Sequence, residues 1–160
     1  MKIVSTNNLH KETIINFFTQ HWGSPQMVVS SGIYDCSTLN GFAVVNGESK
    51  IIGLVTYIIE ENECEIISLD SIEEGKGIGS ALIKEVEQLA VKNNCKLVKL
   101  ITTNDNLLAL KFYQKRGYVL SNIYFNAVEK ARAIKPEIPL IGNDGIPIRD
   151  EIELSKIFID

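Results

Sequence analysis

The sequence is short of several things, and each shortage excludes something. Basic charge is not in surplus: Lys and Arg number 16 against 20 Asp and Glu, a formal net charge of -4. A broad phosphate-binding surface needs the opposite balance, so no nucleic-acid partner is expected. An acidic balance suits a cationic or amine-bearing ligand, and equally well keeps a protein in solution. Cysteine is scarce. Cys36, Cys64 and Cys95 are odd in number, far apart and without Cys-x-x-Cys spacing. That pattern argues against a disulfide framework and against a zinc site, so no metal is expected. It favours a reducing cytoplasm, with the three thiols as small core residues. No apolar run is long enough to span a membrane. The opening Met1-Lys2-Ile3-Val4-Ser5-Thr6 lacks the apolar stretch of a signal peptide. There is no internal repeat and no low-complexity tract.

What remains is an ordinary globular composition, 45% apolar and 22% charged over 160 residues. That is enough for a single domain, 1–160, with a sizeable core. His10 to Trp22 reads as a helix, with Ile14, Phe17, Phe18 and His21 near one stripe. Met27-Val28-Val29 reads as a short strand or a turn of helix. Gly41 to Val45, Ile51 to Ile59 and Cys64 to Leu69 read as strands with short connections, an antiparallel meander. Gly77 to Asn93 reads as a helix whose apolar face carries Ile78, Leu82, Val86, Leu89 and Ala90. A buried strand, Leu97 to Ile101, and a second amphipathic helix, Asn106 to Arg116, follow, with Gly117 as the stop. Tyr118 to Phe125 reads as a strand and Ala127 to Ile134 as a short helix. Lys135 to Asp150 holds three prolines and two glycines and reads as a loop before a last strand, Glu151 to Phe158. The order predicts a mixed α+β layer structure with a mostly antiparallel sheet flanked by helices.

One turn carries chemistry. Leu69-Asp70-Ser71-Ile72-Glu73-Glu74-Gly75-Lys76-Gly77-Ile78-Gly79-Ser80 takes a strand end through three alternate glycines into a long helix. Unpaired N–H groups at a helix start, with the helix dipole behind them, form an anion site. Glycines let backbone approach a phosphate closely, and Lys76 can add a charge-assisted contact. A P-loop is excluded because Gly77, not Ser or Thr, follows Gly75-Lys76. A dinucleotide fingerprint is disfavoured because Ser80 stands where its third glycine belongs. A plain flexible turn is the alternative.

The run Gly75 to Leu82 resembles the signature Arg/Gln-x-x-Gly-x-Gly/Ala of the GNAT superfamily of acetyl-CoA transferases. A second stretch, Asn106-Leu107-Leu108-Ala109-Leu110-Lys111-Phe112-Tyr113-Gln114-Lys115-Arg116-Gly117-Tyr118, is similar to that family's Asn-x-x-Ala-x-x-Phe/Leu-Tyr-x-x-x-Gly-Phe/Tyr. Every fixed position of it is present. The resemblance covers residues 41 to 125. It implies a GNAT-like fold with a splayed strand pair holding pantetheine, and acetyl-CoA as acyl donor. Gly75, Lys76, Gly77, Ile78, Gly79 and Ser80 then hold the pyrophosphate. Leu69, Asp70 and Ser71 match the strand end along the pantetheine arm, and Asn106 matches a residue near it. Glu74 departs from the pattern: the family places Arg or Gln there, and a carboxylate beside a pyrophosphate weakens binding.

The implied reaction is transfer of an acetyl group to a primary amine by direct attack. The amine must be neutral when it attacks, N–H groups must stabilise the oxyanion, and the leaving thiolate needs a proton. Tyr113 stands where family members often supply that proton, and core packing is the other use for it. Phe112 reads as core. Glu65 is the candidate base, on a strand whose alternation puts Glu63, Glu65 and Ile67 on one face and Cys64, Ile66 and Ser68 on the other. A solvated carboxylate is its plainer reading. Asp105 or Asn104 reads as the cap of the following helix. His21-Trp22-Gly23-Ser24 stands where the family builds its acceptor pocket, though a His beside Trp is more often packing. Lys135 to Asp150 covers an acceptor or makes a contact in a homodimer. The acceptor is a small molecule or a peptide amine. A CoA-binding sensor without turnover is the first alternative, and a nucleotide-binding protein the second.

Overall fold

In the computed structural model, residues 1–158 are described. They form two compact units. The first comprises Met1–Met27, Tyr34–Val98 and Phe158; the second comprises Val28–Ile33 and Lys99–Ile157.

The first unit is built on four antiparallel strands in the order β1 (Lys2–Ser5), β4 (Asn40–Val45), β5 (Ile51–Glu60) and β6 (Glu63–Ser71). The tight connections read from Asn46-Gly47 and Glu60–Asn62 close these hairpins. Asn46 Oδ1 accepts the N–H groups of Glu48 and Lys50, and Glu61 and Asn62 take positive φ. Helix α1 (Lys11–Trp22) packs Ile14, Phe17 and Phe18 into a core with Cys36, Ala43, Leu54 and Ile67. His21 leaves the expected stripe: it is exposed, and its ring lies 4.6 Å from that of Phe17.

Helix α2 (Ile78–Lys92) covers the other face of these strands. Its buried stripe is Ile78, Leu82, Ile83, Val86 and Ala90, with Ile83 taking the place expected for Leu89. Close approach depends on Gly53 of β5, where a Cβ would collide with the side chain of Ile78. All three cysteines are free and buried.

Residues 26–35, ambiguous in the sequence, are a hairpin of β2 (Gln26–Val29) and β3 (Gly32–Asp35), whose tip belongs to the second unit. That unit holds β7 (Leu97–Thr103) from Lys99 on, then β9 (Glu151–Ile157) and β8 (Val119–Tyr124) in that order, with β8 and β9 antiparallel. Helices α3 (Leu107–Gln114) and α4 (Ala127–Ile134) flank β8 in the chain. Gly117 ends α3 at φ +93°, in the left-handed region that disfavours a side chain. The 135–150 segment is a loop with a short 3-10 turn, Asn143–Gly145, and one bridge between Ile141 and Pro147. The mixed, mostly antiparallel fold with flanking helices is the one the sequence predicts. No described helix is long and apolar enough to cross a membrane.

Candidate active site

The first unit carries the glycine turn. Strand β6 runs on to Ser71, two residues past the expected end, and Ile72 N–H still bonds to Ile52 C=O. The chain then turns through Gly75 and Gly77, both with positive φ (75° and 72°) and both with open space where a Cβ would stand. Gly77 is the N-cap of α2 and provides no side-chain acceptor, and no acidic residue lies in the first turn. The helix ladder begins with Ala81 N–H to Gly77 C=O. The N–H groups of Gly77, Ile78 and Gly79 precede that ladder, at the positive end of a 15-residue helix. Buried Ile78, locked against β5 by Gly53, fixes that end in place.

The charges around the turn are mostly negative. Lys76 Nζ lies 3.3 Å from a Glu73 carboxylate oxygen, and Glu74 is exposed beside Gly75. Glu73 therefore competes for the cation that the sequence offers to a phosphate.

Strand β6 holds a β-bulge that the sequence does not announce. Tyr57 pairs with Ile66 and Thr56 with Ser68, so Ile67 is an extra residue without a partner. Bulges re-aim side chains and free backbone groups from the ladder. Here the bulge corrects the expected alternation. Leu54, Thr56 and Ile58 share one face of β5, and their partners on β6 are Asp70, Ser68 and Glu65. Ser68 therefore shares the face of Glu65 and bonds the Thr56 hydroxyl with its own. Asp70 lies five positions beyond Glu65, an odd step that would put them on opposite faces of a regular strand.

Asp70 points toward α1. Its Oδ1 accepts the indole N–H of Trp22 at 3.0 Å, while Oδ2 is enclosed and has no hydrogen-bond partner. Burial pushes its carboxyl up to about 6, against the downward pull of the Trp22 hydrogen bond and of nearby His21. Trp22 is held in turn by the Phe18 ring, 4.9 Å away. Glu65 is half-buried.

The second unit carries the other signature. Asn106, not Asp105 or Asn104, caps α3: its Oδ1 accepts Ala109 N–H at 3.2 Å. Asp105 is buried instead, taking the Thr103 hydroxyl at 2.6 Å and Asn143 N–H at 3.0 Å. Asn104 Oδ1 accepts the N–H groups of Arg149 and Asp150, and its amide donates to Pro147 C=O. The polar end of β7 thus tethers the 141–150 loop. Tyr113 is almost wholly buried, edge-on to Phe112 at 5.1 Å and to Tyr118 at 5.5 Å. Phe112 serves as a platform for Arg116, whose guanidinium lies 3.6 Å from the ring centroid.

Two anchors had no role in the sequence reading. Glu151, read only as the start of the last strand, is 2% exposed and accepts both the N–H and the O–H of Ser30, at 2.7 and 2.6 Å. Arg132 donates to the carbonyls of Ile138, Pro139 and Ile148. A lone glutamate at a predicted strand start was the only available signal for the first.

The chain is 56% identical to the Bacillus subtilis (strain 168) protein YxbD over 98% of each chain. It is 54% identical to YdhI of the same organism, again over 98% of each. The fold is similar to that of an IAA acetyltransferase from Bacillus cereus ATCC 14579, with TM-score 0.71, 20% identity and coverage of 98% of this chain and 100% of that one. It is also similar to a GNAT family acetyltransferase from Elizabethkingia anophelis with acetyl-CoA bound, with TM-score 0.66, 23% identity and coverage of 76% and 78%. The acetyltransferase (GNAT) family matches residues 10–118, a span that takes in the glycine turn, the bulged strand and Tyr113, and the chain therefore belongs to the GNAT family.

Proposed function

We propose that this chain transfers an acetyl group from acetyl-CoA to a primary amine by direct attack, without a covalent enzyme intermediate. The observation that carries this reading is the start of α2. Two left-handed glycines with open space lead into a long helix whose first N–H groups have no side-chain cap. That arrangement suits the pyrophosphate of CoA, with the backbone from Gly75 to Ser80 as donor. Leu69, Asp70 and Ser71 follow the pantetheine arm. Asn106 spends its Oδ1 on the helix cap, which leaves its amide N–H group to touch the donor.

In this reading Glu65 takes a proton from the acceptor ammonium, directly or through water. The neutral nitrogen then attacks the thioester carbonyl and the C–N bond forms. Backbone N–H groups around the Ile67 bulge stabilise the oxyanion. As the C–S bond breaks, the Tyr113 hydroxyl gives its proton to the CoA thiolate and recovers one from the acylated nitrogen. Three buried free thiols fit a reducing cytoplasm.

A sensor that binds CoA without turnover is the second reading, and the Glu73–Lys76 pair beside Glu74 favours it. One experiment separates them. Melting is measured with acetyl-CoA, NAD and ATP, and thiol release is followed with a panel of primary amines. Stabilisation by acetyl-CoA alone, with amine-dependent thiol release, supports the transferase. Stabilisation without release by any amine supports the sensor, and stabilisation by NAD or ATP instead overturns both.

A further inference from the structure

The 135–150 connection is apolar where a loop in water is ordinarily polar. Pro136, Pro139, Leu140 and Ile141 are all exposed, the last two at 69% and 55%. The loop is also tightly held. Arg132 of α4 donates to the carbonyls of Ile138, Pro139 and Ile148. Asp105 accepts Asn143 N–H, and Asn104 accepts the N–H groups of Arg149 and Asp150. A Cβ at Gly142 would collide with the Asp105 carboxylate, so the loop sits closely on the residues that follow β7. These tethers take up polar groups and leave Leu140 and Ile141 fixed in water. Apolar surface held there gains free energy only when something covers it.

The same helix borders a recess. A cavity of about 530 Å³ lies between the hairpin tip and α4, which lines it with Ala127, Lys130, Ala131 and Ile134, spaced by threes and fours. Ile33 and Phe125 line it as well, and Ile33, Phe125 and Ile134 are 58%, 72% and 49% exposed. Ser30, at the hairpin tip, donates twice to the buried Glu151 carboxylate, which holds that wall in place. Taking about 100 Å² for a whole aliphatic side chain and about 200 Å² for phenylalanine, Ile33, Phe125, Ile134, Leu140 and Ile141 leave about 400 Å² in water. An interface of standard size covers about 800 Å² of each partner, a little over half of it apolar, or about 450 Å². The exposed apolar area is that of one side of such an interface.

The kind of partner follows from shape and charge. Strand pairing is blocked: β8 ends the sheet order, but its register breaks at Ser121 and Asn122 Oδ1 accepts Ile123 N–H. The contact is therefore made by side chains. A surface that meets itself across a twofold axis must be complementary to itself. This one carries a projection, Leu140 and Ile141, and a recess, both attached to α4. Its charges have both signs, since Lys130 lines the cavity while Glu129 and Glu137 are exposed on and just after the same helix. A patch of one sign would repel its own copy.

We propose that α4, the hairpin tip and the 136–141 segment form the surface on which a second copy of this chain docks about a twofold axis, with Phe125 and Leu140 as its apolar anchors. The inference is independent of the transferase reading and stands or falls without it.

The test is sedimentation velocity of the full chain from about 1 to about 100 µM, where an interface of this size should hold a dimer over most of the range. Phe125→Asp and Leu140→Asp, both at exposed positions, should each weaken association about thirtyfold or more while melting stays cooperative. Val91→Asp, on α2 and 48% exposed, should leave association unchanged. The wild-type melting temperature should rise with protein concentration, and that of the two variants should not. Amide exchange at residues 134–142 should slow as the wild type is concentrated. Should Phe125→Asp fail to melt cooperatively, Ile141→Asp decides in its place. A wild type that stays monomeric throughout overturns the proposal. So does a dimer that survives Leu140→Asp, or one that Val91→Asp dissociates as readily. Binding of a monomeric wild type to phosphatidylcholine vesicles, lost in Leu140→Asp, would give the surface to a membrane and overturn it too.

Discussion

The indole N–H of Trp22 bonds to Asp70 Oδ1 at 3.0 Å, which ties the chain's only tryptophan to a carboxylate whose other oxygen has no partner. The folded protein holds the Asp70 proton up to about 6, above its ordinary 3.8. A group raised in this way contributes stability that is complete below about 3.8 and is lost as pH rises through about 6. At neutral pH the ionised carboxylate therefore costs the fold up to about 3 kcal/mol.

Asp70→Asn keeps an acceptor for Trp22 and removes that cost. It should raise the melting temperature at pH 8 and make little difference at pH 4. Trp22 fluorescence should titrate with a midpoint near 6 in the wild type and lose that transition in the variant. A variant less stable than the wild type at pH 8 would show that the carboxylate does not carry the burden assigned to it.

The pair of Lys76 and Glu73, 3.3 Å apart and largely exposed, is worth little to the fold. It matters for the donor. Glu73→Gln frees Lys76, and Glu74→Arg replaces a repulsive charge by an attractive one. Both should tighten acetyl-CoA binding several-fold at low salt, by roughly a kilocalorie per mole, and less at high salt. Glu74→Gln should gain less than Glu74→Arg. Titration calorimetry at two ionic strengths decides, and equal affinities throughout would mean that the backbone alone holds the phosphates.

Tyr113→Phe should leave the packing against Phe112 and Tyr118 intact, since only the hydroxyl is removed. Turnover should fall by about a hundredfold or more, with acetyl-CoA affinity nearly unchanged. Wild-type turnover in this variant would assign the proton to another group.

Local signals made much of this legible. Helices α2 and α3 follow from apolar spacing and from Gly117, and the glycine turn follows from alternate glycines between a strand and a helix. What escaped depends on partners distant in sequence. Nothing local marks Ile67 as the extra residue of a bulge, because the bulge is set by pairing with β5. Asn104, Asp105 and Asn106 can all cap a helix. Asn106 does so because the 143–150 segment engages the side chains of the other two. The burial of Glu151 is answered by Ser30, 121 residues away. The roles proposed for Tyr113 and Glu65 come only from the family resemblance, since neither spacing nor burial by itself assigns a proton.

Gly53 and Gly77 separate the two reasons for a glycine near the start of α2. At Gly77 the backbone is left-handed, at φ +72°, and a Cβ would meet nothing. Gly77→Ala should therefore cost about 1 kcal/mol from backbone strain alone, with α2 still seated. At Gly53 a Cβ would run into Ile78, the first residue of α2, and approach Leu82 at 3.2 Å. Gly53→Ala must push the start of the helix away from β5, at about 1–3 kcal/mol for overpacking. That displacement moves the N–H groups proposed to hold the pyrophosphate. Gly53→Ala should thus weaken acetyl-CoA binding in proportion to the movement of α2, although residue 53 lies on a strand and is not among the proposed ligand contacts. Restoring space with the pair Gly53→Ala and Ile78→Val should recover part of both stability and affinity. Thermal melting and titration calorimetry on the three variants give the answer. A Gly53→Ala protein that binds acetyl-CoA like the wild type would separate the seat of α2 from the donor site.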